Sequence, residues 1–256
     1  MYIDFHNHID FHNHIDFYSK DKVNEVINII NKEKIITIAC AMDEKSYIEN
    51  IGYSNKSDYI IPIFGIHPSK VKNNKFNFDK IENYIKYAPL IGEIGLDFYW
   101  VEEKETYLNQ IEVFEYFLQT AKKYNKYINV HTKGAEELVL DYIKKYDVSE
   151  QTIIHWYSGE EKTLEKLIDI KCLFTGSVDL GYSDKTNEII KKIPINQLLA
   201  ETDGPTALQW VNNIYGMPDE IKKVYKKISD IKNVEVEEFK EHCSKILKEI
   251  TNFNKK

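Results

Sequence analysis

The chain has 256 residues, 34 lysines and no arginine, and its 41 acidic residues leave a formal charge of −7. A hydrophobic content of 43% is enough for a full core and excludes a disordered chain, while the acidic balance argues against a non-specific nucleic-acid coat protein. With no guanidinium fork available, any phosphate handling falls to lysine, backbone amides or metal ions.

Apolar, strand-like runs recur along the chain. The first is IDFHNH near the N-terminus. IITIAC (35–40), IIPIFGI (60–66), PLIGEI (89–94) and YINVH (127–131) follow, then TIIH (152–155), CLFTG (172–176) and QLLAE (197–201). Helical spacing fills the intervals. Val23, Val26, Ile27 and Ile30 make one stripe, Ile111, Phe114, Leu118 and Ala121 a second, and Leu164, Leu167 and Ile168 a third. Two helices are expected after the last strand, the final one carrying Phe239, Cys243, Leu247 and Ile250. Eight strands alternating with helices predict a (β/α)8 TIM barrel with extra C-terminal helices, an open doubly wound sheet being the alternative. No linker composition divides the chain, so residues 1–256 are expected to form one domain. Three scattered cysteines fit a reducing compartment. The N-terminus lacks a signal-peptide pattern, and no apolar run approaches the roughly 18 residues of a membrane span. The expected location is cytoplasmic.

One hexad, FHNHID, is repeated in tandem at 5–10 and 11–16. Six is an even number, so either copy keeps the same faces of a strand in phase. Seven of the eight histidines (His6, His8, His12, His14, His67, His131 and His155) fall at or near the ends of predicted strands, where a barrel carries its active site. His242 lies mid-helix and reads as packing. Residues i and i+2 of a strand share a face, so each H-x-H pair can hold one divalent cation. Taken alone, such a pair is equally a polar strand end. Glu93 and Asp97 in IGEIGLD are a bridging carboxylate and its neighbour, or capping groups of a buried turn. Asp203 in ETDGP is a ligand or proton acceptor, or part of a plain Asp-Gly turn. Together, these side chains suit hydrolytic divalent cations better than a structural zinc, which favours cysteine.

The strings DFHNHID, GIHP, IGEIGLDFY, VHTK, HWYSG and ETDGP, in that order over residues 3–206, resemble the TatD family of metal-dependent hydrolases. The resemblance implies a TIM barrel and hydrolysis dependent on one or two divalent cations (Mg, Mn or Zn). In several members the substrate is the DNA phosphodiester bond. Carried over by position, the metal ligands are an H-x-H pair, Glu93, His131, His155 and Asp203, with Glu93 bridging and Asp203 acting on water. His67 and Lys133 fall at substrate-contacting positions. Of the two pairs, His12 and His14 are favoured. Residues 1–8 would then be a short extension beneath the barrel, which perturbs less than a loop inserted beside the metals. In the other register His6 and His8 bind.

The chain departs from the family at its substrate rim. HTRDA becomes His131-Thr132-Lys133-Gly134-Ala135, HCFSG becomes His155-Trp156-Tyr157-Ser158-Gly159, and the tyrosine after ETDxP is absent. Trp100, Trp156 and Tyr157 are expected either to stack on exposed bases or to pack. DNA or a small phosphodiester is the expected substrate, and no membrane partner is expected. The alternatives are an amidohydrolase or lactonase acting at carbon, and a non-catalytic barrel within an assembly. The short linker and ETDGP are also similar to TatD-like members of phage-defence gene sets.

Overall fold

The computed structural model describes residues 1–9, 20–71 and 76–251. The first half alternates β1 (Ile3–Asn7), α1 (Lys20–Glu33), β2 (Ile36–Cys40), α2 (Glu44–Ser54), β3 (Ile60–Ile63) and α3 (Phe78–Tyr87). Then come β4 (Ile91–Asp97), α4 (Tyr107–Tyr124), β5 (Ile128–Lys133), α5 (Glu136–Tyr146), β6 (Thr152–Ile154) and α6 (Glu161–Asp169). The second half ends with β7 (Leu173–Gly176), α7 (Asp184–Lys192), β8 (Leu198–Ala200), α8 (Thr206–Asn212), α9 (Ile221–Lys232) and α10 (Val236–Thr251).

All eight expected strands are present and pair in parallel, in the order β1-β2-β3 and β4-β5-β6-β7-β8. A parallel bridge from Phe64 to Ile91 joins the two sheets. At the other seam Asp203 N donates to His6 O (3.0 Å), His8 N donates to Gly204 O (3.2 Å), and Asp4 accepts from Thr202 N (3.0 Å). The architecture is the α/β barrel order expected from the alternation. Because helices cover the outside and side chains fill the inside, nearly every strand residue is buried and the strands read as continuous apolar runs.

The helices bury the stripes that the spacing predicted. Val23, Val26, Ile27 and Ile30 of α1 pack with Ile9, Ala39 and Ile60. Phe239, Cys243, Leu247 and Ile250 of α10 are all buried. Tyr225 of α9 is fully buried, and its hydroxyl donates to Ile3 O (3.0 Å) and accepts from Ile3 N (3.1 Å). That pair of bonds ties the C-terminal helices to the start of β1. Three helices follow β8 where two were expected. The extra one, α8, spans seven residues, too few to show an apolar period.

Two glycines let backbones approach at the strand ends. A side chain at Gly65 would collide with the Glu93 carbonyl, and one at Gly95, whose φ is +147°, with the backbone of His131. The β4–β5 register shifts between Ile91 and Ile94, the stretch that holds Gly92 and Glu93. These features bring the carboxylate of β4 against the imidazole of β5.

Candidate metal centre

The strand entering the barrel is the first copy of the hexad. Residues 3–7 therefore form β1 and do not lie beneath the barrel as an extension, which corrects the expected register. His12 and His14, the pair favoured from sequence, lie outside the described residues. His6 and His8 are buried at the C-terminal end of β1, with their Nε2 atoms 3.1 Å apart.

Glu93 is the hub. Its Oε2 lies 3.6 Å from His6 Nε2 and 3.3 Å from His8 Nε2. Its Oε1 lies 3.0 Å from His131 Nδ1, 3.1 Å from His155 Nε2 and 3.6 Å from His67 Nε2. Asp203 Oδ1 stands 3.7 and 3.6 Å from His6 and His8 Nε2. Each oxygen of Glu93 thus faces a different set of imidazoles.

Among the described residues, three donor sets have their atoms within 4.8 Å of one another: His6, His8 and Asp203; His6, His155 and Glu201; and His67, Glu93 and His131. The tautomers are set from behind. Asn129 Nδ2 donates to Phe5 O (3.0 Å), which turns its Oδ1 toward His6 Nδ1 (2.9 Å). In the neutral ring, the form a metal would bind, the His6 proton therefore sits on Nδ1 and leaves the Nε2 lone pair facing inward. Glu201 Oε1 takes the same role at His155 Nδ1 (3.2 Å), and Asp97 Oδ2 at His131 Nε2 (3.1 Å). Such carboxylate and amide partners orient metal-bound histidines. Inward lone pairs crowded around buried carboxylates fit divalent cations, which satisfy all of them at once.

His67 differs from the other four. Its Nδ1 accepts from Ser69 N (3.1 Å), so in the neutral ring the proton lies on Nε2, facing the centre. Burial pushes its pKa down to about 3 despite the neighbouring Glu93, keeping the ring neutral. It is placed as a hydrogen-bond donor. Burial opposes ionisation of Glu93, but His67, His6 and His155 hold its carboxyl well below the usual range. Burial lifts Asp203 above the usual carboxylate range against the pull of His6 and His155.

The family model described as TatD related DNase matches residues 4–252. The chain belongs to that family. A metal-dependent hydrolase of Methanocaldococcus jannaschii is 30% identical over 245 residues, covering 94% of this chain and 92% of its own. YjjV of Escherichia coli K12, described as a metal-dependent hydrolase, is 22% identical over 189 residues, 71% of each chain. The crystal structure of YjjV, a TatD homologue, superposes with a TM-score of 0.83 at 18% identity, covering 99% of this chain and 98% of its own. A TatD-family hydrolase from Entamoeba histolytica gives 0.79 at 17% identity, covering 98% and 97%. These two structures speak to the fold.

Within this TatD-family metal-dependent hydrolase, the structure gathers His6, His8, His67, Glu93, His131, His155 and Asp203 at one end of the barrel. Lys133 ends β5 at the rim. Its Nζ donates to Ser158 Oγ and lies 5.8 Å from the centre of the Trp156 ring. Burial lowers its pKa, opposed by Glu136, Asp179 and Asp203. Of the three expected base-stacking aromatics, Trp100 is exposed and Trp156 is partly buried. Tyr157 is buried, and its hydroxyl donates to Glu160 O (2.7 Å), so it packs and cannot stack on a base. His242 bonds to Leu198 O (3.0 Å), as its reading as packing required. Asn129, Asp97 and Glu201 were not assigned site roles from sequence. Asp97 and Glu201 sit inside the quoted motifs and could have been found there. Asn129 differs from any other strand asparagine only in lying two residues before His131.

Proposed function

We propose that this hydrolase cleaves phosphodiester bonds of DNA, on single strands or at ends, through His6, His8, Glu93, His131, His155 and Asp203 as metal ligands. The observation that carries this reading is the position of Glu93, whose two oxygens face separate groups of imidazoles. A carboxylate so placed suits two neighbouring cations. Divalent cations bound there would acidify a water and neutralise charge on the phosphoryl group.

The protein's own groups supply the rest. Asp203 faces the His6–His8 side and accepts the proton of the attacking water. His67 presents Nε2–H toward the centre and donates to a phosphoryl or departing oxygen. Lys133 brings a positive charge to the same rim, as a point charge without the bidentate geometry of an arginine. Asn129, Asp97 and Glu201 hold the imidazoles in the tautomers that this work needs. Trp100 offers an exposed face to an unpaired base. The family's name for its members as DNases supports the substrate class.

The test is a panel of labelled single-stranded DNA, small phosphodiesters and amides, each with magnesium, manganese or zinc. EDTA-sensitive release of nucleotides is expected, with a loss of at least about a hundredfold in Asp203→Asn. Full nuclease activity in Asp203→Asn would sink the scheme. Hydrolysis of amides alone would transfer the site to chemistry at carbon.

A further inference from the structure

We propose that Asp97 is a positioning residue shared by two sites: one carboxylate oxygen sets His131 toward the metal centre, and the other holds Tyr99 and Trp100 as a platform for an unpaired nucleobase of the substrate strand. The proposal deepens the phosphodiester reading and rests on it for the ligand. Asp97 ends β4 and is buried. Its Oδ2 lies 3.1 Å from His131 Nε2, and His131 Nδ1 lies 3.0 Å from Glu93 Oε1. Its Oδ1 accepts from the backbone amides of Tyr99 (3.0 Å), Trp100 (2.7 Å) and Val101 (3.4 Å). Three donors on one carboxylate oxygen fix the turn that follows the strand.

The rest of the turn is held as firmly. Gln110 of α4 accepts from Asp97 N (3.0 Å) and donates to Asp97 O (3.2 Å). Phe98 N donates to Lys133 O (2.8 Å). The Tyr107 ring stacks on Phe98 with centres 4.0 Å apart, and its hydroxyl lies 3.1 Å from the carbonyls of both Phe98 and Val101. Gly134 takes a φ of +67°, and a Cβ there would lie 3.4 Å from the Tyr99 amide nitrogen. On this frame two rings stand outward. Tyr99 is 65% exposed and Trp100 68%, with ring planes at 85° and centres 4.8 Å apart.

Single exposed aromatic residues are common, so exposure by itself decides nothing. What distinguishes this pair is its support: the carboxylate that fixes its backbone also meets the imidazole of a proposed metal ligand. A platform already fixed loses little freedom when a ligand stacks on it. The surroundings select the ligand. Glu102 and Glu103 follow in the loop and are exposed, which disfavours a phosphate there and leaves an uncharged, flat base as the matching group. In a chain of net charge −7 without arginine, stacking is a grip that needs no cation. Bases within a duplex have both faces covered by their neighbours, so the platform selects single strands or frayed ends.

The experiment uses the full chain saturated with manganese. Hydrolysis of a single-stranded oligonucleotide is compared with that of the same backbone carrying abasic sugars beside the cleaved bond. The wild type should show the lower KM for the base-bearing strand. Trp100→Ala should raise that KM about tenfold, with the effect on KM and not on kcat, and erase the advantage over the abasic strand. Asp97→Asn keeps an oxygen for the loop amides and sets an amide N–H against His131. In a metal titration its affinity should fall roughly 10–100-fold, while the advantage of bases persists at saturating metal. Asp97→Ala should lose both. Protection of the Tyr99 and Trp100 amides from hydrogen exchange in the wild type checks the hold without any variant. Equal KM values for the two strands in the wild type, or an unchanged KM in Trp100→Ala, overturn the platform. Unchanged metal affinity in Asp97→Asn, intact base discrimination in Asp97→Ala, or free exchange of those amides overturns the shared support. If the wild type cleaves no DNA with any metal, the phosphodiester reading fails, and fluorescence anisotropy of a labelled single strand still decides the platform. Weaker binding in Trp100→Ala then sustains it, and equal binding overturns it.

Discussion

Glu93, ringed by five imidazoles at 3.0–3.6 Å, is the hub of the proposed site, and the groups behind those imidazoles orient them toward it. Glu201 exists in this structure to hold His155. Glu201→Gln keeps the shape and removes the charge, so metal affinity should fall by roughly 10–100-fold without unfolding, as measured by metal titration. Unchanged affinity would show that Glu201 is a bystander. His242 makes a different statement about single residues. Its imidazole is partly buried, and burial, aided by Lys245, lowers its pKa below the ordinary 6.5, against the Leu198 carbonyl that favours the charged ring. The unfolded chain therefore binds this proton first. Stability that is present above pH 6.5 is lost as pH falls below it. Denaturation of the wild type and of His242→Gln at pH 7.5 and 5.5 should show a larger acid loss in the wild type. Equal losses would mean that the histidine is not protonation-linked to folding.

At the scale of elements, β1 shows what a repeat leaves open. The octapeptide IDFHNHID occurs at 3–10 and again at 9–16, so each copy carries the same strand residues and the same imidazole pair. Periodicity cannot choose between identical strings. The choice is made outside them. Tyr2 packs edge-on against Tyr225 with ring centres 5.1 Å apart, its carbonyl accepts from Ile36 N (3.0 Å), and Lys240 sits over its ring. With the second copy in the barrel, His8 would take the place of Tyr2 and lose the phenol ring's packing. His6→Ala with His8→Ala should therefore abolish metal binding, while His12→Ala with His14→Ala should keep it. The reverse result, read by bound-metal analysis, would restore the second register. The other strands lacked this ambiguity. Each had a single apolar run, and burial on both faces made those runs conspicuous.

For the whole molecule, the centre packs buried imidazoles and carboxylates together, and in the metal-free fold, despite burial, the neighbouring carboxylates raise the pKa of His155 to about 9 and that of His6 well above the ordinary value, so a cation must displace protons to bind. A cation that binds only the folded form stabilises it by mass action. At a hundredfold excess over Kd that is about 2.7 kcal/mol, or roughly 5–10 °C in Tm for a chain of this size. Thermal scans with manganese or zinc should show this rise, and EDTA should reverse it. No shift in the wild type would argue against a metal centre. A net charge of −7 with no arginine also predicts shallow salt dependence of DNA binding, because few phosphates are neutralised. Sequence by itself determined the alternation of strands and helices, the family and most of the candidate ligand types. It did so because strand burial writes apolar runs, and because the chemistry demands histidine and carboxylate at strand ends. Tertiary structure alone decided which hexad enters the barrel, that Tyr157 is core, and that Asn129, Asp97 and Glu201 stand behind the imidazoles of His6, His131 and His155. Those outcomes depend on contacts between residues far apart in the chain, whose distances no local pattern encodes.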